Sequence, residues 1–346
     1  HLSIITKYKK KNEHFYMMKE IDKRQALDEY NNCNLQFALA KAYEDLEEIE
    51  LAFECYIKGN AIRKQLLKYD INKDRRLFAV SMESQKFFNS NELKVIAENL
   101  IKTFEYAGKE SIRLYNEGLK IEIKEDKSPV SNGDLLVNEI ISKKISELTP
   151  NIKIISEETV DLKVKNTSKV FWLIDPIDGT KEYIAGKDEY TLNAALVIDT
   201  VPVLGLVGVP KKNRIFFSYS PGESYLIENK KKQKLSCEKK QPKGKIVALS
   251  SVLKPSDIIL NKLKEYSVTS IVKMASSYKF CVIATGEYDI YAARERANEW
   301  DYAAGHAIAQ NAGAIIKTLD EKPFLYGKEN YKNPSLLIRR SKNLDD

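Results

Sequence analysis

The apolar run Val170-Phe171-Trp172-Leu173-Ile174 stops abruptly at Asp175-Pro176-Ile177-Asp178-Gly179-Thr180. Five consecutive apolar residues predict a strand buried on both faces. Carboxylates at the end of such a strand do not fill a core, because an unpaired buried charge costs several kcal/mol. Asp175 and Asp178 flank a predicted Pro-initiated turn, which would bring both side chains into one pocket. Two converging carboxylates suit a hard divalent cation such as Mg2+. The backbone N–H groups of Gly179 and Thr180 then offer a cradle for a phosphate oxygen. On these residues alone, an Asp-Pro turn with an incidental second Asp is the competing reading.

A chain of 346 residues suggests two domains, at about 150 residues each. The composition is globular, 43% hydrophobic and 30% charged. No apolar run approaches the roughly 18 to 20 residues of a membrane span. The net charge of +7 comes from scattered lysines, which would steer an anionic substrate. The densest basic stretch, 230–245, has neither period nor interleaved aromatics. It predicts a solvated hairpin and loop, and no nucleic-acid polymer is expected as a partner. Cys33, Cys55, Cys237 and Cys281 fit no zinc or redox spacing, so reduced cysteines and a cytoplasmic location are expected. A start at His1 rather than Met leads us to expect a truncated first segment, and no targeting peptide is recognisable.

Residues 1–90 predict a helical segment and linker. Leu35, Phe37, Ala38, Ala40, Ala42, Tyr43 and Leu46 fit one amphipathic helix, and Leu51 to Ile62 fit a second. The stretch from Phe37 through Tyr56 resembles one tetratricopeptide (TPR) repeat of about 34 residues. Leu35 to Phe78 is similar to the last repeat and linker of TPR-containing sulfotransferases. One repeat cannot bury its faces alone. Missing repeats, packing on the C-terminal part of the chain, or a protein partner are therefore expected. Residues from Phe78 to Asn91 read as the linker.

Residues 91–342 predict an α+β domain. A helix runs from a cap at Ser90 or Asn91 to about Asn116, and a second covers Leu135 to Leu148. Ile152 to Ile155 is a short strand ending in Ser156-Glu157-Glu158. Apolar or alternating runs at Thr191–Ile198, Val203–Val209, Ile215–Tyr219 and Ser224–Ile227 predict an antiparallel meander. Strands at Ile246–Leu249, Val268–Val272 and Tyr288–Ala292 alternate with helices at Pro255–Glu265, Ser276–Thr285 and Trp300–Asn311. That alternation predicts a second sheet covered by helices. Strands near Ala314–Lys317 and Leu336–Arg339 complete the domain.

Acids recur at element ends: Asp134, Glu157, Asp175, Asp178 and Asp301. Taken singly, Asp134 is as well explained by helix capping and Asp301 by the helix dipole. Their order carries more weight. Ser128-Pro-Val-Ser-Asn-Gly-Asp134, Ser156-Glu-Glu158, Asp175-Pro-Ile-Asp-Gly-Thr180 and Trp300-Asp-Tyr-Ala-Ala-Gly305 resemble, in sequence order, the motifs of the inositol monophosphatase superfamily. Lys181-Glu182-Tyr183 and Ser276-Ser277-Tyr278-Lys279-Phe280-Cys281 look most like its bacterial 3′(2′),5′-bisphosphate nucleotidases.

The resemblance implies a layered αβαβα sandwich and a Mg2+-dependent phosphomonoesterase with two or three metals per site. Glu157, Asp175 and the Ile177 carbonyl would hold one Mg2+; Asp175, Asp178 and Asp301 a second; Asp134 would stand at a weaker third or its water shell. Thr180, paired with Asp134 or Glu157, would orient and deprotonate the attacking water. Gly179 and Thr180 N–H would receive the scissile phosphate. An oxygen-only set without His or Cys agrees with Mg2+ over Zn2+. His306, in the Trp300 helix, is expected to be structural or to lie behind the site. Ser276 and Lys279 match part of the family's clamp for the second phosphate, with Arg294 near its expected arginine. Ser250-Ser251-Val252-Leu253 replaces a segment that carries Arg and His in that family. The resemblance therefore implies hydrolysis of 3′-phosphoadenosine 5′-phosphate to AMP in sulfur metabolism. An inositol or sugar monophosphate remains the alternative, and an inactive TPR-type adaptor a remote third. Joining a sulfotransferase-like segment to an enzyme that removes the sulfotransferase by-product is metabolically coherent.

Overall fold

The computed structural model describes residues 8–24, 27–66, 87–124, 127–237 and 244–344. The chain divides into two compact units, His1–Ala79 and Val80–Asp346. Among the described residues the first has three helices, α1 (Glu13–Arg24), α2 (Glu29–Asp45) and α3 (Ile49–Leu66). Asp28 caps α2 by accepting from Asn31 N, so this helix starts earlier than its apolar spacing suggests. Helix α1 lies where the sequence shows no strong period. Phe15 and Met18 from α1 nevertheless pack with Leu39, Ala40, Tyr43 and Ala52 in one small core. The predicted linker from Phe78, up to residue 86, falls outside the described residues.

In the second unit, the first element within the described residues is α4 (Ser90–Glu117). Its cap is Asn89, one residue before the expected cap: Asn89 Oδ1 accepts from Asn91 N and Glu92 N, and Glu92 reaches back to Asn89 N. A small antiparallel hairpin comes next, β1 (Ile121–Ile123) with β2 (Pro129–Ser131), and runs into α5 (Asn132–Leu148). Then come β3 (Lys153–Ser156), β4 (Val170–Asp178), α6 (Thr180–Ile184), β5 (Thr191–Ile198), β6 (Val201–Val209), β7 (Arg214–Ser220), β8 (Glu223–Glu228) and β9 (Lys231–Lys234). These strands form a seven-stranded sheet in sequence order from β3 to β9. The β3–β4 pair is parallel and the rest are antiparallel. Strand β9 is the first part of the lysine-rich stretch, exposed along its length at the sheet edge; residues 238–243 of that stretch fall outside the described residues.

The remaining elements are β10 (Val247–Ser250), α7 (Asp257–Lys264), β11 (Ser270–Lys273), α8 (Tyr278–Ala284), β12 (Ile290–Ala293), α9 (Glu299–Asn311), β13 (Ile315–Lys317) and β14 (Leu336–Arg339). Their five strands form a second sheet in the order β11-β10-β12-β14-β13. Alternating side chains assign each sheet face to a different core. Trp172 and Ile174 of β4, with Leu192 and Leu196 of β5, pack against Leu100 and Phe104 of α4 and Val137 and Ile141 of α5. Phe171 and Leu173 point the other way, toward Phe280, Ala303 and Ile308 of α8 and α9 and Leu249, Tyr291 and Ile338 of the second sheet. Ala248, Ile290 and Leu337 turn to the far side, against Ile259 and Leu263 of α7. The result is five layers: α4 and α5, the large sheet, α8 and α9, the small sheet, α7. Burial on both faces is why β4 and β5 carry uninterrupted apolar sequence.

One substitution tests the contact between the large sheet and α9. A Cβ on Gly205 of β6 would stand 2.4 Å from the Ala304 carbonyl oxygen, a backbone atom that cannot swing away. Gly205→Ala should destabilise the unit by about 1 to 3 kcal/mol through overpacking, read as a lower urea midpoint.

Candidate active site

The predicted turn at Asp175-Pro176 is absent. Strand β4 continues through Asp178 and carries a register shift instead: Asp175 pairs with Asn193 of β5, and Asp178 with Thr191. Three steps on β4 face two on β5, which is a β-bulge. In an unbroken strand, residues three apart point to opposite faces. The extra residue restores the parity, so Asp175 and Asp178 share a face. Pro176, which cannot donate to a ladder, sits where the ladder is interrupted.

Two further acids reach this strand end. Glu157 directly succeeds β3, and its N–H donates to the Ile174 carbonyl at 3.1 Å. Asp301 lies in the first turn of α9, where its Oδ2 accepts from Asn298 N at 2.8 Å. Carboxylate oxygens of Glu157, Asp175 and Asp301 lie within 4.8 Å of one another. Capping and clustering are thus both true of Asp301. Asp178 is held differently. Its Oδ2 accepts from Ser277 N at 2.5 Å. The Ser277 hydroxyl donates to Asn193 Oδ1 at 2.7 Å and lies 2.9 Å from Thr191 Oγ1.

Burial pushes the proton affinity of these acids up. Asp175 is raised well above the carboxylate range, by desolvation first and then by Glu157, Asp178 and Asp301. Desolvation also raises Asp301 far up, with repulsion from Asp178 and Glu157 next. In Glu157 the same burial is opposed by Lys124. In Asp178 it is opposed by Lys279, the Ser277 N–H, Asn193 and Arg296. Mutually repelling, oxygen-only donors fit a hard divalent cation, which would remove both the desolvation and the repulsion.

Asp134 and Thr180 form the second part of the site. Asp134 is buried at the start of α5, where Ser131 N and Oγ donate to its Oδ2 at 2.8 and 2.6 Å. Its other oxygen, Oδ1, lies 3.1 Å from Thr180 Oγ1, which donates to it and is equally close to the Ile177 carbonyl. Of the two partners expected for Thr180, the structure pairs it with Asp134. Gly179 has φ +91°, in the left-handed region that favours glycine, and heads α6.

The expected phosphate-clamp residues are placed less simply. Lys279 is buried and donates to the Met274 carbonyl at 3.4 Å and to the Ser276 carbonyl. Its Nζ also lies 5.2 Å from the Tyr291 ring centroid. It is a fixed internal cation beside Asp178 rather than a free arm. Ser276 sits at φ +52°, and its hydroxyl accepts from Tyr278 N at 3.3 Å. Arg294 is exposed and lines a cavity of about 280 Å³ with Ser250, Ser251, Lys254, Tyr291 and Arg296. Ser277, Ser131 and Lys124 escape the sequence reading as functional residues. The first two lie inside the motifs already singled out. His306 is buried between Tyr326 and Gln310, and burial lowers its pKa to about 4.

Residues 92–344 match the inositol monophosphatase family. The chain belongs to the inositol monophosphatase family. Among curated relatives, the 3′(2′),5′-bisphosphate nucleotidase CysQ of Escherichia coli O157:H7 is 32% identical over 236 residues, covering 67% of this chain and 94% of that protein. The corresponding protein of Salmonella typhimurium is 32% identical over 240 residues, covering 67% and 94%. The crystal structure of CysQ from Bacteroides thetaiotaomicron superposes with a TM-score of 0.59 at 28% identity, covering 73% of this chain and 98% of that one. An IMPase/NADP phosphatase complexed with Mg2+ and phosphate shares the fold, with a TM-score of 0.59 at 16% identity over 72% of this chain and 91% of that one. The family match begins after the first unit. This inositol monophosphatase family chain is therefore a phosphatase whose second unit carries the family fold and an acidic cluster. Among the described residues no helix is long and apolar enough to cross a membrane.

The raised acids make a signed prediction. A carboxyl whose folded pKa lies above its unfolded value loses stability as pH climbs from about 4, and the loss is complete above the folded pKa. His306 works oppositely: its contribution is present above about 6.5 and is lost as pH falls toward about 4. Mg2+ at the cluster would bind the ionised acids and leave His306 untouched. The Mg2+-induced rise in Tm should therefore be larger at pH 8 than at pH 5.5, as measured by differential scanning fluorimetry.

Proposed function

We propose that this chain is a Mg2+-dependent 3′(2′),5′-bisphosphate nucleotidase that removes the 3′-phosphate of 3′-phosphoadenosine 5′-phosphate. The observation that carries the choice of substrate is the cavity flanked by Lys254, Arg294 and Arg296. Among the described residues none of these three cations is in an ion pair, and no acid lines the cavity. Arg296 and Lys279 also act electrostatically on Asp178, and Lys279 Nζ lies 5.2 Å from the centroid of Tyr291, which lines the cavity. These links favour a substrate with one phosphate at the carboxylates and a second anionic group among the cations. The likeness to the CysQ nucleotidases supports the same reading.

In this reading Glu157, Asp175 and Asp301 hold one or more divalent cations, with Asp178 and the Ile177 carbonyl completing the oxygen set. Bound divalent cations would supply charge neutralisation for the phosphate and acidify water. Thr180 orients the attacking water through its hydroxyl. Asp134, whose proton affinity is raised chiefly by burial, accepts the proton relayed through that hydroxyl. Gly179 and Thr180 N–H groups receive the equatorial phosphate oxygens, where charge spreads in the transition state. Ser131 holds Asp134, and Ser277 holds Asp178, in place.

A second reading, an inositol or sugar monophosphatase, is favoured by one observation. Val252 and Leu253 are exposed apolar residues, in the Ser250–Leu253 segment that replaces the one carrying Arg and His in the resembled nucleotidases. The two readings separate in one assay of Mg2+-dependent phosphate release from 3′-phosphoadenosine 5′-phosphate and from inositol 1-phosphate. Preference for the nucleotide is expected, and preference for the inositol ester would overturn that choice. Arg294→Ala combined with Arg296→Ala should raise KM for the bisphosphate about tenfold or more, the worth of one or two charge-assisted bonds. Asp175→Asn should cut kcat roughly a hundredfold or more with either substrate.

A further inference from the structure

The ion pairs of Lys124 take no part in that chemistry. Lys124 succeeds β1 at the tip of the β1–β2 hairpin. All three residues of β1 are exposed, so little apolar packing holds that strand down. Its tip is fastened instead by charge. Lys124 Nζ lies 2.9 and 2.8 Å from the two carboxylate oxygens of Glu158, a symmetric bidentate contact. The same Nζ lies 3.5 Å from Glu157 Oε1. The Glu158 side chain is almost fully covered, at 5% exposure, while that of Glu157 retains 29%. The other end of the hairpin, Ser131, holds Asp134. The ammonium therefore stands between one glutamate with no other part in the site and one that belongs to the carboxylate cluster.

We propose that Lys124 is a positioning residue that competes with a divalent cation for Glu157, and that Glu158 sets the strength of that competition by retaining the ammonium. The proposal rests on the reading of Glu157, Asp175 and Asp301 as metal ligands. Glu158 is the permanent partner, being closer, bidentate and more covered. Glu157 is the exchangeable one: it is shared with the ammonium at the longer distance and released to a cation at the cluster. The two glutamates of Ser156-Glu157-Glu158 thus divide the work. One binds metal, and the other keeps a rival cation at a set distance.

This division makes opposite predictions for its two halves. Lys124→Met removes the rival and should tighten Mg2+ binding about twofold to fivefold, the worth of a partly exposed ion pair. Glu158→Gln frees the ammonium to close on Glu157 and should weaken Mg2+ binding by a similar factor. Lys124→Arg, which keeps the charge, should stay near the wild type. The readout is the Mg2+ dependence of Tm, with Mg2+ alone and no substrate, after circular dichroism has checked that each variant folds. If the hairpin contact were only structural, Lys124→Met and Glu158→Gln would move in the same direction. That outcome, or no change in either, overturns the proposal. A wild-type Tm that ignores Mg2+ would instead overturn the metal-ligand reading, and this inference with it. Substrate choice does not enter the measurement.

Discussion

Burial raises the proton affinity of Glu157, Asp175, Asp178 and Asp301, and repulsion from neighbouring acids adds to it at Glu157, Asp175 and Asp301. Left alone, such a group of charges opposes folding, because desolvation and repulsion add. The surroundings of the site answer that constraint. Asn298 gives one oxygen of Asp301 a backbone donor, Ser277 does the same for Asp178, and Ser131 does so for Asp134. Lys279, anchored on carbonyls, supplies a positive charge that cannot swing away. The five-layer core makes these placements rigid. Strand β4 is covered by α4 and α5 on one face and by α8, α9 and the small sheet on the other, so the strand that delivers Asp175 and Asp178 has no freedom to relax outward.

The parts of the fold that were legible in the sequence are those where burial dictates composition. Strands β4 to β8 appear as apolar or alternating runs because one or both faces are covered. Helices α4 and α5 show helical spacing for the same reason. Elements stabilised otherwise were not legible. Strand β2 has three residues, too few for a period, and exists because β1 pairs with it. Helix α1 buries only Phe15 and Met18, which leaves little pattern. Cap positions slipped by a residue at Asn89 because Ser90 and Asn91 are equally plausible by type.

In the site, residue types revealed the acids but not their partners. Asp175 stood out because charge at the end of a buried strand has no packing explanation, whereas Glu157 and Asp301 gained their weight from the order of the motifs. Ser277 did not stand out beside Ser276, since neighbouring serines differ only in which way the backbone turns them. The left-handed φ at Ser276 turns the chain so that Ser277 N–H, rather than a side chain, meets Asp178. Likewise Lys279 reads as a phosphate-binding arm from its motif. Its actual bonds to Met274 and Ser276 depend on a tertiary environment that no local pattern encodes.

The bulge in β4 has a consequence for how such a site tolerates change. Asp175 and Asp178 share a face because one surplus residue sits between their pairing partners on β5. What matters at positions 176 and 177 is first the number of residues and only then their identity. A strand of this kind accepts many spellings and very few lengths. An insertion or deletion of one residue would invert the direction of every side chain beyond it while leaving both aspartates in the sequence. The geometry of the site is stored as a count, carried by backbone pairing, and is invisible to any inspection that only asks whether the acids are present.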